Sequence, residues 1–217
     1  MVTSENCKKI RDIWEKDIKP YNGTIYRQTT AKPEKNLLNE NNWIMNPILN
    51  LQSLNSNLFN NLRNTVENEV FSNDLICAAL KCILGENPKI VQSMYFEGNA
   101  ATSEHQDSYY LDSEKIGEMT AAWLALEEIK ADAGRFFICP ESHKMDHGKQ
   151  NISNNIAENH DKYIAEVVSI IKSKNMKIKA PCLGAGDVLL WNSWTIHGSI
   201  DSQNKEYSRS SITLHAI

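Results

Sequence analysis

The sequence has few cysteines, and their arrangement excludes two classes of protein. Five cysteines occur among 217 residues, an odd number, and no two of them form a C-x-x-C pair. This pattern argues against a scaffold held by disulfides and against a zinc site built from thiolates. Cys77 and Cys82 lie in an apolar stretch with helical periodicity, so we expect both to be core thiols.

Long apolar runs and basic runs are also missing. No stretch is both apolar and long enough to span a membrane, and the first residues lack the apolar core of a signal peptide. We therefore expect a cytoplasmic protein with no membrane partner. The net charge of −4 and the absence of a basic track argue against a nucleic-acid partner and leave a small-molecule substrate as the expectation. The oligomeric state stays open.

The composition, with 41% hydrophobic and 23% charged residues, is typical of one globular domain, which we expect to span residues 1–217. Its first part has helical periodicity, over residues 4–18 and again from 43 to 84. Ser4 is the expected N-cap of the first helix, and Asn73 is the expected cap of a helix within the second stretch. These segments contain no catalytic constellation, so we expect them to pack against a sheet.

The pattern changes to short strands after Pro88. The period shifts toward two, with strands predicted over residues 90–96, 104–110, 119–127, 134–139, 187–192, 195–200 and 208–216. Many short strands at this spacing are typical of a sandwich, jelly roll or barrel. An insertion at about 141–180, with a helix near 156–173, interrupts them and is expected to form a lid or a wall of a site. Residues 1–87 are thus mostly helical and residues 88–217 mainly β.

A histidine and an aspartate, His105 and Asp107, stand two residues apart in one predicted strand. Alternation along a strand places them on the same face, where they supply two metal ligands. The best third ligand is His197, which lies in a strand-like apolar segment. Two histidines and one carboxylate form the facial arrangement of non-haem Fe(II) oxygenases. A metal-free hydrogen-bonded pair is the alternative for the first two residues. Four other histidines compete for the third position: His143, His147, His160 and His215.

The last predicted strand has an arginine on a small polar face, shared by Arg209, Ser211, Thr213 and His215. An arginine in an apolar strand needs an anionic partner, and the guanidinium fork matches a carboxylate. Arg209 with Ser211 is therefore expected to anchor the distal carboxylate of a small diacid. The alternative is an internal ion pair with an acidic residue of the protein.

Trp123 lies between two alanines, Ala121 and Ala125, on one face of the strand near 119–127. If that face is the interior, the small neighbours leave room for a ligand beside the indole; otherwise Trp123 fills the core. Two other tryptophans, Trp191 and Trp194, are expected in the core and not in the site.

These residues belong to a set of motifs that resembles the phytanoyl-CoA dioxygenase family of Fe(II)/2-oxoglutarate-dependent oxygenases. The resemblance covers somewhat more than half of the chain, from about residue 90 to 217. The matching motifs are Glu104-His105-Gln106-Asp107, Ala122-Trp123-Leu124-Ala125-Leu126, Gly134-Arg135-Phe136-Phe137, Pro140-Glu141-Ser142-His143, Gly186-Asp187-Val188-Leu189, His197-Gly198-Ser199 and Arg209-Ser210-Ser211. Glu141 stands where family members often have glycine, so a different turn is expected there.

The resemblance implies a mainly β fold with flanking helices, in which a double-stranded β-helix (a cupin-like jelly roll) is buttressed by the N-terminal helices. It implies Fe(II) held by His105, Asp107 and His197. It implies a 2-oxoglutarate cosubstrate bound by Arg209, Ser211 and Ser199, with Trp123 lining its pocket. Gln92 is a further candidate for contact with the cosubstrate or the substrate.

The implied reaction uses O2 to hydroxylate a small molecule, with release of succinate and CO2. Asp107 keeps a carboxylate where related halogenases leave room for chloride, which favours hydroxylation over halogenation. Two other functions remain open from the residues. One is a cupin-like jelly-roll metal protein that does not use 2-oxoglutarate, and the other is a non-catalytic β-sandwich binding module.

Overall fold

The computed structural model describes residues 2–98, 101–145 and 156–217 of the chain. The helices of eight or more residues are α1 (Ser4–Ile13), α2 (Ser56–Val66), α3 (Asp74–Leu84) and α4 (Ile156–Ser173). The strands are β1 (Ile25–Tyr26), β2 (Pro33–Glu34), β3 (Ile48–Leu49), β4 (Ile90–Phe96), β5 (Thr102–His105), β6 (Thr120–Ala125), β7 (Phe136–Ile138), β8 (Val188–Asn192), β9 (His197–Ser199) and β10 (Ser211–Ala216). Over these ranges, no helix is long and apolar enough to cross a membrane.

Two antiparallel sheets form the β core. The larger sheet has the order β3-β4-β10-β6-β8, and the smaller sheet has the order β5-β9-β7. Their inner faces pack together, because Phe136 of the smaller sheet lies against Trp123 and Trp191 of the larger one, with ring centroids 5.7 and 4.8 Å apart. The architecture is the predicted one, mainly β in a jelly-roll arrangement with flanking helices.

Side chains of β6 and β10 in the larger sheet alternate between an apolar outer face and an inner face. On the outer side, Leu124 of β6 and Ile212 and Leu214 of β10 are buried in the cluster formed with the N-terminal helices. Each such aliphatic side chain stabilises the fold by about 1.5–3 kcal/mol when fully buried. The residues between them therefore face the smaller sheet, and these carry the polar and aromatic groups of the site.

The N-terminal helices cover that outer face. In α1, Ile10 is buried and the helix continues as a π-helical turn through Trp14, whose ring stacks on Tyr95 of β4 at 3.7 Å. The N-cap is Thr3 and not the predicted Ser4, because the Thr3 hydroxyl accepts a hydrogen bond from the amide of Asn6 at 3.1 Å. The predicted cap Asn73 is confirmed, since its side chain accepts from two amides of α3.

The prediction of helix from residue 43 onward was wrong for its first part. Residues 43–55 contain the strand β3, which pairs with β4, and a short 3-10 turn. Pro47 explains the difference, because it has no amide hydrogen to donate and disfavours helical geometry at the residue before it. The expectation of two core thiols was also wrong: Cys82 is exposed and Cys77 is half-buried, since α3 buries Ile76 and Leu80 instead.

The predicted helix of the insertion is present as α4. Its buried residues Tyr163 and Val167 pack against Cys139 and Ile196, beside the smaller sheet. The helix therefore forms a wall behind the strands β5 and β9. His147, one of the competing histidines, lies outside the described residues.

Candidate metal centre

The smaller sheet brings His105, Asp107 and His197 together. His105 ends β5 and pairs directly with His197 across the β5–β9 ladder. The strand predicted over 104–110 stops at His105, and Asp107 begins a 3-10 turn. Gln106 between them is extended, with φ −114° and ψ 134°, so the two side chains still lie on the same side.

The two imidazoles present matching atoms to one oxygen of the aspartate. The Nε2 atoms of His197 and His105 lie 3.4 and 3.8 Å from Oδ1 of Asp107. Each Nδ1 lies against a backbone carbonyl two residues earlier, at 2.7 Å from Ser103 and 2.9 Å from Thr195. An Nδ1–H that donates to a carbonyl leaves Nε2 without a proton, which is the form that binds a metal.

This donor set fits a divalent metal ion. The three side chains each offer one ligand atom, and these atoms lie within 4.8 Å of one another. Two ligands of one ion are at most about 4.4 Å apart when each bond is about 2.2 Å, so the separations of 3.4 and 3.8 Å are compatible with a shared ion. Two imidazoles and one carboxylate on one side of an ion are the ligands of the facial triad.

The second oxygen of Asp107 is held from the larger sheet. The indole Nε1–H of Trp191 donates to Oδ2 at 2.8 Å, and Nε2 of His215 lies 3.4 Å from the same oxygen. Burial by itself raises the pKa of the Asp107 carboxyl, but the charges of His197 and His215 outweigh it and hold that pKa well below its ordinary value. Asp107 is therefore an ionised, oriented carboxylate.

The pKa values of the two histidines of the smaller sheet are shifted in opposite directions. Burial, followed by the nearby charge of His197, lowers the pKa of His105 to about 4. Burial also disfavours the charged form of His197, but the charge of Asp107 and its hydrogen bond raise the pKa of His197 above the ordinary value. In the absence of metal, a proton therefore favours His197 over His105.

Helix α4 fixes the turn that carries Asp107. The hydroxyl of Tyr163 accepts a hydrogen bond from the amide of Gln106 at 2.8 Å, and its ring stacks on Tyr109 at 3.7 Å. His160, also on α4, contacts the hydroxyl of Tyr110 at 2.8 Å. The insertion thus holds residues 106–110 from behind and reaches the rim of the cluster.

Arg209 is buried with its charge unpaired. The side chain is almost inaccessible, with 3% of the residue exposed, and its Nη1 donates to the carbonyl of Gly134 at 3.0 Å while Nε has no partner. Gly134 lies just before β7, so the side chain extends from the larger sheet to the smaller one. Burial lowers the pKa of Arg209 to about 10, and over the described parts of the chain no carboxylate pairs with it.

The other predicted binding residues lie near the same inner surface. Ser211 is buried on β10, where its hydroxyl donates to the Arg209 carbonyl at 3.2 Å, and the Ser199 hydroxyl accepts from the amide of Thr102 at 2.9 Å. Trp123 is buried in an inner cluster with Ala121, Ala125, Ile129, Phe136 and Trp191. Gln92 is half-buried on β4, directly opposite His215.

For two residues at this centre, Trp191 and His215, the structure shows a role that the sequence did not predict. Trp191 was expected in the core, and it is buried there, but its indole also donates to Asp107. His215 competed for the third ligand position, and it lies instead behind the carboxylate. The inward alternation of Ser211, Thr213 and His215 was the available signal for His215. Among the remaining competitors, His143 is exposed and His160 contacts Tyr110.

Comparison with known proteins gives a family for this arrangement. The family model of phytanoyl-CoA dioxygenase (PhyH) matches residues 25–211. A phytanoyl-CoA dioxygenase domain-containing protein 1 homolog from Caenorhabditis elegans is 27% identical over 140 residues, which are 61% of this chain and 47% of that protein. The homolog from Caenorhabditis briggsae is 24% identical over the same shares. The chain thus spans about half the length of the curated relatives it matches.

Solved structures show the same fold. The non-heme alpha ketoglutarate dependent carbocyclase SnoK from nogalamycin biosynthesis superposes with a TM-score of 0.67 at 14% identity, over 100% of this chain and 76% of that one. The epimerase SnoN, in complex with Fe3+, alpha ketoglutarate and nogalamycin RO, gives 0.64 at 14% identity, over 98% and 74%. EctD from S. alaskensis, with 2-oxoglutarate and 5-hydroxyectoine, gives 0.65 at 13% identity, over 100% and 69%.

Proposed function

We propose that this chain, which belongs to the phytanoyl-CoA dioxygenase family, is an Fe(II)- and 2-oxoglutarate-dependent oxygenase that hydroxylates a small molecule. His105, Asp107 and His197 would hold the iron. Arg209 would bind the distal carboxylate of 2-oxoglutarate, with Ser211 and Ser199 beside it and Trp123 lining the pocket. Gln92 is the remaining candidate for contact with cosubstrate or substrate.

The observation that carries this proposal is the unpaired charge of Arg209. A buried guanidinium without an acidic partner is strongly unfavourable, so a protein that keeps one needs an anion there for part of its working cycle. The described residues supply no such anion, which argues against the alternative of an internal ion pair. A dicarboxylate cosubstrate supplies it, and a cupin-like metal protein that does not use 2-oxoglutarate leaves the charge unexplained.

When bound, the iron and 2-oxoglutarate supply the oxidising chemistry, with O2 as oxidant and succinate and CO2 as products. The chain's own contribution is positioning. The carbonyls of Ser103 and Thr195 orient the two imidazoles, and Asp107 and His197 are themselves buried, which limits the access of water to them.

Hydroxylation is the reaction that the residues favour within this class. Asp107 provides a carboxylate at the position that related halogenases leave open for chloride, so the chain lacks the vacancy that halogenation needs. The structural relatives include a carbocyclase and an epimerase as well as EctD with its hydroxyectoine, so the outcome of the oxidation needs its own test.

A small-molecule substrate, a cytoplasmic location and a single domain over residues 1–217 are further parts of the proposal.

The test is 2-oxoglutarate turnover against a set of small molecules. Protein loaded with Fe(II) is incubated with 2-oxoglutarate labelled at its C1 carboxylate, and release of labelled CO2 is measured as each candidate substrate is added. We expect substrate-stimulated release, lost in Asp107→Ala and in Arg209→Met. For each stimulating compound, isotopically labelled O2 then distinguishes the reactions.

A product alcohol that carries oxygen from O2 supports hydroxylation. A cyclised or epimerised product without that label overturns hydroxylation and keeps the oxygenase class. Iron binding with no decarboxylation under any condition supports the cupin-like alternative. Small-molecule binding that needs no metal and survives Asp107→Ala supports a non-catalytic binding module.

A further inference from the structure

One row of side chains crosses the inner face of the larger sheet directly behind Asp107. The register of four neighbouring strands aligns Gln92 with His215, His215 with Ala121, and Ala121 with Trp191. Ala121 is the smallest member and stands between the two large ones. His215 and Trp191 both reach Oδ2 of Asp107, at 3.4 and 2.8 Å, so this row of side chains holds the carboxylate from the larger sheet.

The two oxygens of Asp107 consequently have separate surroundings. Oδ1 faces the Nε2 atoms of His105 and His197, and Oδ2 faces the Nε2 of His215 and the indole of Trp191. A carboxylate oxygen accepts two hydrogen bonds through its two lone pairs. Trp191 fills one of these positions and can only donate, and His215 stands at the other.

His215 has properties that a side chain used only for packing would not need. It is 4% exposed, and its Nδ1 has no hydrogen-bond partner in the described parts of the chain. A buried ring nitrogen without a partner is unfavourable, and an aliphatic residue of similar size would avoid that cost. With Nδ1 unpartnered, the contact at Nε2 is the polar contact for which a histidine is needed, because Nε2 lies 3.4 Å from Oδ2 of Asp107, in position to donate to the carboxylate.

We propose that His215 is a positioning residue, which together with Trp191 restrains Oδ2 of Asp107 so that the carboxylate binds the metal through Oδ1 alone. This inference rests on the proposed function. A carboxylate that binds through both oxygens occupies one more coordination position. A cosubstrate that chelates the metal and a molecule of O2 need the positions that the protein leaves open, so restraint of Oδ2 protects them.

The matched variants exploit the shape of histidine. In His215→Gln the amide nitrogen can replace the Nε2 donor, in His215→Asn the amide nitrogen can reach only the position of Nδ1, and in His215→Leu no donor remains. Trp191→Phe removes the other donor to the same oxygen. Each purified variant is titrated anaerobically with Fe(II), and separately with Co(II), whose visible absorption depends on coordination number. Thermal unfolding of each metal-free protein reports the structural effect.

We expect His215→Leu and His215→Asn to bind Fe(II) about 10–100-fold more weakly than the wild type, the range typical of residues that orient metal ligands. We expect His215→Gln to recover most of the affinity and to keep the wild-type Co(II) spectrum, with His215→Leu showing an altered one. Trp191→Phe is expected to weaken binding to a similar degree as His215→Leu.

The outcomes separate the two proposals. If the wild type binds neither metal, the proposed function fails, and this inference fails with it. If the wild type binds both metals and His215→Leu binds them equally well, only the positioning role is wrong. If His215→Gln is as weak as His215→Asn, the donor at Nε2 is not the important atom and the inference is overturned. If His215→Leu does not fold, the comparison of Gln with Asn still decides.

Discussion

Replacement of Arg209 by methionine is expected to abolish ligand binding without lowering the stability of the ligand-free protein. Methionine keeps a long, flexible, apolar side chain in place of the guanidinium, so packing between the sheets is largely preserved. The charge that it removes has no carboxylate partner in the described parts of the chain. We therefore expect Arg209→Met to lose binding of 2-oxoglutarate while the ligand-free protein becomes no less stable.

The magnitude follows from the burial of the guanidinium. Burial lowers the pKa of Arg209 from 12.5 to about 10, which corresponds to about 3 kcal/mol of free energy against the charged form. The substitution also removes the hydrogen bond from Nη1 to the Gly134 carbonyl, which contributes about 1 kcal/mol net, and leaves that carbonyl with one donor fewer. The free energy of unfolding of the ligand-free variant should therefore be unchanged or higher by up to about 2 kcal/mol.

The chain offers a matched control in Arg27. It is equally buried, and burial lowers its pKa to about 10 as well, but Nε, Nη1 and Nη2 donate to the Glu34 carbonyl, the Asn46 carbonyl and Oδ1 of Asn36. Arg27→Met removes a similar burial cost but three hydrogen bonds instead of one, so its free energy of unfolding should be about 2–4 kcal/mol lower than that of Arg209→Met. It should leave 2-oxoglutarate binding intact.

Urea and thermal unfolding of the two variants and the wild type, with Mn(II) in place of iron to prevent turnover, provide the assay. At about 100 times its Kd, 2-oxoglutarate should stabilise the wild type and Arg27→Met by about 2.7 kcal/mol. For a protein of this size, Tm rises by about 2–4 °C for each kcal/mol. Arg209→Met should show no shift. If Arg209→Met is destabilised as much as Arg27→Met and keeps the 2-oxoglutarate shift, Arg209 is a structural residue and the reasoning fails.

Three further predictions concern the surroundings of the site. Burial and the charge of His197 lower the pKa of His105 from 6.5 to about 4, so between these pH values the unfolded chain binds more protons than the folded one. The free energy of unfolding of the metal-free protein should therefore fall by up to about 3 kcal/mol as the pH is lowered from 6.5 to 4. Urea midpoints across that pH range test this, and His105→Asn should give a flatter profile. His197 does not interfere, because its pKa is raised and the stability that it contributes is lost only above pH 6.5. Gly198→Ala would place a Cβ 2.6 Å from the Thr102 carbonyl and 2.9 Å from the Phe137 ring, so it should lower the free energy of unfolding by about 1–3 kcal/mol and weaken Fe(II) binding. Wild-type values for both would contradict this close packing around β9. Glu141 has a φ of 68°, in the left-handed region that favours glycine, so Glu141→Gly should raise the urea midpoint; a lower midpoint would show that the Glu141–Lys144 contact matters more than the backbone.

Much of the fold follows from local patterns. Alternation in β6 and β10 predicted which residues face inward, and the spacing of His105 and Asp107 predicted that their side chains share one side, although the strand ends at His105. Both features depend on a few neighbouring residues, which is why the sequence is informative about them. The expectation of a different turn at Glu141 was wrong, because glutamate itself adopts the left-handed geometry that favours glycine.

The remaining features depend on register between strands that are distant in the chain. Trp191 and His215 meet at Asp107 because β10 lies between β4 and β6 and because β8 pairs on the far side of β6. No local pattern determines that order. The contact of Tyr163 with the Gln106 amide similarly joins an inserted helix to a turn 57 residues earlier. Segment 43–55 was mistaken for helix because its apolar residues mimic helical spacing, and Pro47 was the contrary signal.

The central claim is that His105, Asp107 and His197 hold a metal to which 2-oxoglutarate binds through Arg209. Anaerobic titration of the metal-free protein with Fe(II) and then 2-oxoglutarate tests it most directly, through the visible charge-transfer band that develops when the keto acid chelates the iron. We expect the band in the wild type, its absence in His105→Ala, and a much higher 2-oxoglutarate requirement in Arg209→Met. A wild-type protein that binds iron without developing the band, or an undiminished band in His105→Ala, would contradict the claim.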